Sequence, residues 1–385
     1  MIPYGRQSID EADVRAVSEV LRSDFITQGP VVPRFESAVA DYCQVPHAVA
    51  VNSATSALHV ACLALDVGPG DRVWTSPNTF VASANCAIYC GATVDFVDID
   101  PVTYNMSTEA LATRLAEAEK SATLPKVVIP VHFSGLPCDM QAIHGLAHRY
   151  GFRVIEDASH AIGARHGDKL TGDCSFSDVT VFSFHPVKII TTAEGGLATT
   201  RSRELARRMQ LYRSHGVTRE PTELERQDQG SWYYEQTCLG FNYRLTDLQS
   251  VLGMSQLQRV EQWIKRRHAI ADMYDVALSD LPLILPVRPA HTRSALHLYV
   301  VQVDTTRTKY TRKVVFERLV AAGVRPGVHY IPVHLQPYYR ARGFVAGQFP
   351  VSEAYYARCL SLPMYAALSE SQQRVVIDAL TEALA

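Results

Sequence analysis

The sequence has almost no net charge: 37 Lys and Arg against 39 Asp and Glu leave a formal charge of −2 over 385 residues. That balance gives no broad basic face for nucleic acid or an acidic membrane, so an anionic small ligand has to be held by a local site. No apolar run reaches the roughly 20 residues of a membrane span. The segment Met1-Ile2-Pro3-Tyr4-Gly5-Arg6 goes straight into polar sequence, without a basic-then-apolar leader. Cysteine pairs at metal spacing are missing as well. The eight cysteines stand at 43, 62, 86, 90, 138, 174, 238 and 359, with no Cys-x-x-Cys among them. Cys86 and Cys90 are four apart in an apolar stretch, which suits core better than ligation. The expectation is a reduced, cytoplasmic protein with no metal, no nucleic-acid partner and no membrane attachment. Internal repeats and low-complexity segments are absent too. So are the Gly-rich fingerprints of dinucleotide and nucleoside-triphosphate loops, which counts against a nicotinamide-dependent Rossmann enzyme.

What is present is an alternation of short apolar runs with helical patterns over the first 250 residues. The runs are Ala48–Val51, Arg72–Trp74, Thr93–Val97, Val127–Val131, Phe152–Ile155 and Val179–Phe182. Amphipathic stretches such as Met140–Tyr150 separate them. This predicts an α/β fold with a mostly parallel central sheet, whose ligands sit at the carboxyl ends of the strands. From Thr246 to Leu278 the apolar spacing predicts one long helix, or two with a bend, as a connector. A strand over Leu296–Val303 and a helix over Thr311–Ala322 then predict a smaller α/β C-terminal domain. The expected division is 1–250 for a large domain with its N-terminal segment, and 251–385 for the connector and small domain.

Three elements carry chemistry. Lys188 lies among apolar neighbours in Phe182–Gly196, unlike most other lysines of the chain. Burial lowers the pKa of an ammonium, and a neutral amine is what Schiff-base chemistry needs. The same placement equally suits a strand-end lysine that snorkels to solvent. Asp157 follows the apolar run ending at Ile155. A carboxylate there can pair with the pyridine nitrogen of pyridoxal phosphate (PLP), or simply cap a helix. Asn52-Ser53-Ala54-Thr55-Ser56 precedes a helical stretch, where hydroxyls and free N–H groups suit a phosphate dianion or ordinary capping. Together the three supply a phosphate cup, a ring-nitrogen partner and a Schiff-base lysine in one α/β domain.

With those residues in hand the chain resembles the DegT-type sugar aminotransferases, of PLP-dependent transferase fold type I (aspartate aminotransferase-like). The matching stretches run from end to end. They include Ile2–Gly5, Thr27–Pro30, Asn52–Leu58, Thr79–Asn85, Val97–Asp100, Pro130–Phe133, Glu156–His160, Ser183–Gly196, Arg213–Gly216, Gly240–Leu245 and His329–His334. The N-terminal motif, His185–Thr192 and Val328-His329-Tyr330 are most similar to the branch acting in pseudaminic acid biosynthesis.

The resemblance implies roles residue by residue. Lys188 would form the Schiff base and move the proton. Asp157 would pair with the ring nitrogen and His160 would sit near the ring hydroxyl. Phe80 would stack on the ring, where plain core is the competing reading. Thr55, Ser56 and Ser183 would hold the phosphate. Asn242 would reach the phosphate of a neighbouring subunit, which requires a homodimer with composite sites. Tyr4, Thr27, Gln28, His329 and Tyr330 would face the sugar nucleotide, with loop packing the alternative for these five. Related dehydratases carry histidine in place of the lysine, so Lys188 points to transamination. The implied reaction moves the amino group of L-glutamate, through the pyridoxamine form of the cofactor, to C4 of a UDP-linked 4-keto-6-deoxy-N-acetylhexosamine. The product would be UDP-4-amino-4,6-dideoxy-N-acetyl-β-L-altrosamine. The alternatives are the same chemistry on a 4-keto pentose or 3-keto hexose, and a non-catalytic regulator that kept the fold.

Overall fold

The computed structural model describes residues 1–226 and 228–385. Seven strands form the central sheet: β1 (His47–Val51), β2 (Arg72–Thr75), β3 (Thr93–Phe96), β4 (Val127–Ile129), β5 (Arg153–Asp157), β6 (Val179–Ser183) and β7 (Gly196–Thr200). Their order is β1-β7-β6-β5-β4-β2-β3. The pairs β2–β3, β2–β4, β4–β5 and β5–β6 are parallel, while β7 is antiparallel to both β1 and β6. Six strands therefore share one direction and β7 alone runs against them. β7 was not among the runs expected from the sequence. Gly196-Leu197-Ala198-Thr199-Thr200 has too little apolar bulk to stand out, although all five residues are buried.

Helices cover both faces of the sheet, which is why its inner strands read as continuous apolar runs. Val49, Val51, Val181 and Ala198 face the helix Ala54–Ala64 in one core, and Ala48, Ala50, Phe182 and Leu197 face the helix Val31–Cys43 in another. The alternation along each strand is the ordinary two-residue period of a β-strand.

The connector is two helices, Asp247–Leu257 and Val260–Ala277. Thr246 and Gln249 close the first helix in a reciprocal capping box. The break at Gln258–Arg259 lets the Arg259 guanidinium reach Asp10 and Asp13. Past it, an antiparallel sheet of β8 (Leu283–Ile284), β9 (Tyr299–Val303) and β10 (Cys359–Leu362) packs with the helices Arg312–Ala321 and Glu370–Leu384. The strand expected from Leu296 begins only at Tyr299. Leu296 takes a left-handed backbone, and Leu298 N–H is turned to the carbonyl of Ser134 at 3.3 Å. The N-terminal Ile2–Pro3 pairs in parallel with Val324–Arg325. No helix of the described residues is long and apolar enough to cross a membrane.

Candidate active site

The carboxyl ends of β1, β5 and β6 carry the residues singled out above. β1 runs into Asn52–Ser56, β5 ends at Asp157 and β6 ends at Ser183. Because β7 is reversed, its first residue lies at the same end: Gly196 is paired with Val51 on one side and Ser183 on the other. Its backbone presses on the turn before the first helix of the site. A Cβ at Gly196 would lie 2.4 Å from Ala54 N, closer than any side chain tolerates. Only glycine fits there.

Ser53 caps the helix Ala54–Ala64 by accepting from Ser56 N–H at 3.1 Å. The Ser56 hydroxyl donates to Asn52 Oδ1 at 2.6 Å. Among the described residues the N–H groups of Ala54 and Thr55 have no protein acceptor. The capping reading of this segment is therefore correct, and two N–H groups remain at a helix N-terminus beside the half-buried Thr55 hydroxyl. That combination suits an anion.

Lys188 stands not on the strand but in the loop Phe184–Gly195 that joins β6 to β7. The loop is closed on itself: Phe184 N–H donates to Gly195 at 2.9 Å, and Thr192 N–H and Thr191 Oγ1 donate to the Phe184 carbonyl at 3.0 and 2.9 Å. Lys188 N–H donates to the His185 carbonyl at 2.9 Å, and its side chain is half-buried. Burial pushes the Lys188 amine down to about 8, against the opposing pull of the Asp157 carboxylate. A freely snorkelling lysine would keep its ordinary value.

Asp157 is buried, and no helix begins at it. Its Oδ2 accepts from Ser83 Oγ at 2.6 Å and its Oδ1 from Ser159 N–H at 3.0 Å. Thr79 Oγ1 lies 2.7 Å from Ser83 Oγ. Behind the strand, His132 Nε2 is 2.7 Å from Glu156, and Cys138 N–H points at His132 Nδ1 at 3.1 Å. A backbone N–H only donates, so the imidazole hydrogen sits on Nε2 and is given to Glu156. Phe80 is 60% exposed, which excludes the core reading. Its ring centroid lies 6.5 Å from that of Tyr330.

His160 is buried beside Lys188. Its Nδ1 accepts from Ser134 N–H at 3.3 Å, and its Nε2 meets the Tyr330 hydroxyl at 3.0 Å. The rings of His160 and Tyr330 stack at 21°. Burial holds His160 well below the usual imidazole range, helped by the nearby Lys188 and His329. His329 is pushed down to about 4 by burial and by Lys188; its Nδ1 is 2.7 Å from Ser361 Oγ. Its ring meets Tyr4 edge-on at 5.0 Å. Burial, with Asp157 and Tyr4 nearby, raises the Tyr330 phenol. His297 packs 4.3 Å from His160, and among the described residues its buried Nδ1 has no partner.

The structure thus gathers Lys188, Asp157, His160, Phe80, Tyr4, His329 and Tyr330 around one space, with Thr55, Ser56 and Ser183 along the adjoining strand ends. Thr27, Gln28 and Asn242 stand apart from that group within the chain. Thr27 and Gln28 are exposed, and Thr27 bridges to Thr246. Asn242 is exposed and bridges to Ser214. Ser83, Ser134, His297 and Ser361 were not singled out from the sequence. Each acts through a partner tens to hundreds of residues away, and a short polar side chain gives no local sign of that.

These residues fit PLP: an amine of lowered pKa, a buried carboxylate with one oxygen steadied by a hydroxyl, an exposed aromatic face, and a helix N-terminus with unpartnered N–H groups. Comparison with known proteins agrees. The family model of the DegT/DnrJ/EryC1/StrS aminotransferases matches residues 7–381. The spore coat polysaccharide biosynthesis protein SpsC of Bacillus subtilis is 39% identical over 384 residues, 99% of this chain and 96% of that protein. Among solved structures, Helicobacter pylori PseC, an aminotransferase involved in the biosynthesis of pseudoaminic acid, superimposes with a TM-score of 0.89. It is 30% identical, over 100% of this chain and 99% of that one. Spr1654 of Streptococcus pneumoniae, a proposed sugar aminotransferase, matches in its PMP form with a TM-score of 0.90. It is also 30% identical, over 100% of this chain and 99% of that one.

Proposed function

We propose that this chain, which belongs to the DegT/DnrJ/EryC1/StrS aminotransferase family, transfers the amino group of L-glutamate to C4 of a UDP-linked 4-keto-6-deoxy-N-acetylhexosamine. It is a PLP-dependent sugar aminotransferase, and the regulator reading is set aside with that membership. The product of the proposed reaction is UDP-4-amino-4,6-dideoxy-N-acetyl-β-L-altrosamine. The observation that carries the chemistry is the half-buried Lys188 amine, brought down to about 8 next to the Asp157 carboxylate. PseC, at 30% identity over the whole chain, supports the choice of sugar.

When bound, PLP supplies the electron sink that lets a proton leave the carbon bearing the amino group. The chain's own residues do the rest. Lys188 would take that proton as a neutral amine in the glutamate half-reaction, and as the ammonium it would give a proton to the sugar carbon in the second half-reaction. Asp157, steadied by Ser83, would pair with the ring nitrogen. Phe80 and His160 would position the ring, and Thr55, Ser56 and Ser183 would hold the phosphate. Asn242 serves the site of a second copy of the chain, so the active unit is a homodimer with composite sites. Tyr4, His329 and Tyr330 line the sugar-nucleotide side; Thr27 and Gln28, which stand apart from them within one chain, are assigned to that side by the family resemblance alone. His329 stays neutral through the physiological range and so accepts or donates a hydrogen bond without repelling Lys188.

Incubation of the protein and PLP with L-glutamate and UDP-linked keto-sugars, followed by mass analysis of the products, tests the reading. The expected result is 2-oxoglutarate and a 4-amino sugar in equal amounts. A second reading, the same transfer onto a different nucleotide keto-sugar, is favoured by SpsC at 39% identity. A panel in which a 4-keto pentose or 3-keto hexose is aminated faster would establish it and overturn the first.

A further inference from the structure

The helix Met140–Tyr150 carries His144 and His148 one turn apart, so both lie on one face. Their Nε2 atoms are 2.9 Å apart, and their rings are perpendicular with centroids 4.4 Å apart. His144 is half-buried. It packs edge-on against Phe176 at 5.7 Å, and its Nδ1 lies 3.2 Å from the Phe176 carbonyl. A carbonyl only accepts, so the hydrogen of His144 sits on Nδ1. Its Nε2 therefore presents a lone pair toward His148. His148 is exposed and free to rotate and to take the same tautomer. Both Nε2 lone pairs then face one point in solvent. The bond from Nδ1–H to a backbone carbonyl is also the outer contact that orients metal-bound histidines.

We propose that His144 and His148 form a two-imidazole site for one late first-row divalent cation of the Zn²⁺, Ni²⁺ or Cu²⁺ class. Metal–nitrogen bonds of about 2.0–2.1 Å at a tetrahedral angle place the two nitrogens about 3.3 Å apart. The pair has to open by only a few tenths of an ångström, which a small rotation of His148 provides. Imidazole selects these ions over Mg²⁺ and Ca²⁺, which prefer oxygen. Among the described residues no group of three or more His, Cys, Asp or Glu is placed to hold a metal, so water completes the coordination. The site is remote from the chemistry. β5 begins just past the helix and Asp157 stands at its far end, while Phe176 precedes the start of β6. A bound ion bridges two successive turns of the helix and stabilises the folded chain by mass action.

The test uses the full-length untagged holoenzyme, titrated with Zn²⁺ and with Ni²⁺, beside His148→Gln and His144→Gln. The wild type is expected to bind one more ion per chain than either variant in equilibrium dialysis. Its thermal midpoint should rise with Zn²⁺ while those of the variants do not, and Mg²⁺ should do nothing. With Cu²⁺, the electron paramagnetic resonance spectrum should show coupling to two imidazole nitrogens in the wild type and to fewer in His148→Gln. Equal ion stoichiometry in all three proteins would overturn the site. So would a midpoint shift that survives in His148→Gln, whose exposed position leaves the fold intact.

Discussion

The hydroxyl of Ser83 donates to Oδ2 of Asp157 at 2.6 Å, from the first turn of the helix Ala82–Tyr89 to the end of β5. It steadies the carboxylate on one side while Ser159 N–H holds the other oxygen. A hydrogen bond to a charged group contributes about 1.5–3 kcal/mol. Ser83→Ala should therefore weaken PLP binding or lower kcat by roughly one to two powers of ten, with the fold intact. Titration of the apo variant with PLP, followed by absorbance, measures it. An unchanged affinity together with an unchanged kcat would show that the bond does not steady Asp157.

Lys188 makes the chain's chemistry and stability respond to pH in a defined window. An amine at about 8 is neutral in about a quarter of molecules at pH 7.5, against about one in a thousand for an ordinary lysine. Reconstitution of the apoprotein with PLP should accelerate through an apparent pKa near 8. For stability the sign is opposite to that of a paired lysine. Below about 8 both folded and unfolded chains hold the proton, and the burial penalty is fully present. Between about 8 and the ordinary value of 10.5 only the unfolded chain keeps it, so the penalty is relieved as pH rises. The apoprotein Lys188→Met should be more stable than wild type at pH 7 in urea, should lose that advantage toward pH 10, and should not transaminate.

Gly196→Ala should damage the phosphate end of the site. Its Cβ would sit 2.4 Å from Ala54 N and 2.5 Å from the Ser53 carbonyl oxygen, both backbone atoms held by the Ser53 cap. Overpacking of this kind costs about 1–3 kcal/mol. The expected outcome is a lower urea midpoint and weaker binding of PLP, with inorganic phosphate losing its ability to compete for the site.

Asp247 is fully buried and accepts from the N–H groups of Gly29, Val31 and Val32 at 2.7, 2.7 and 3.2 Å. It fixes the entry to the helix Val31–Cys43, just after Thr27 and Gln28. Asp247→Ala should cost about 3 kcal/mol, in line with charged hydrogen bonds lost at a buried site. It should also free the preceding segment. Limited proteolysis should cut near residues 22–30, and KM for the sugar nucleotide should rise more than kcat falls.

The proposed composite dimer makes a further prediction. Lys188→Ala and Asn242→Ala should each be inactive or nearly so alone. Mixed under exchange, they place both lesions in one site of a heterodimer and leave the other whole. Activity should return to about a quarter of wild type for a symmetric two-site assembly. No recovery, in a mixture shown to contain heterodimers, would place Asn242 outside the neighbour's site.

Much of this was legible from local chain chemistry. Short continuous apolar runs located six strands of the central sheet, and the polar residues just past them located Asp157 and the Asn52–Ser56 turn. The apolar surroundings of Lys188 anticipated its lowered pKa, although the side chain belongs to a closed loop and not to a strand end. Phe80 could not be resolved, because an aromatic residue in an apolar stretch reads alike whether it faces the core or an open site. The loss of one strand, β7, has the same root: small residues packed between two strands carry no amphipathic signature.

The sequence by itself determined the layered α/β architecture and the kind of chemistry, because periodicity, capping and the desolvation of a single lysine act over a few neighbouring residues. Only the tertiary structure decided which groups meet. Ser83 and Asp157 are 74 residues apart, His160 and Tyr330 are 170 apart, and Gly29 and Asp247 are 218 apart. Those contacts depend on which strands lie side by side and on which way β7 runs, and burial of the whole sheet sets that order, not any local propensity.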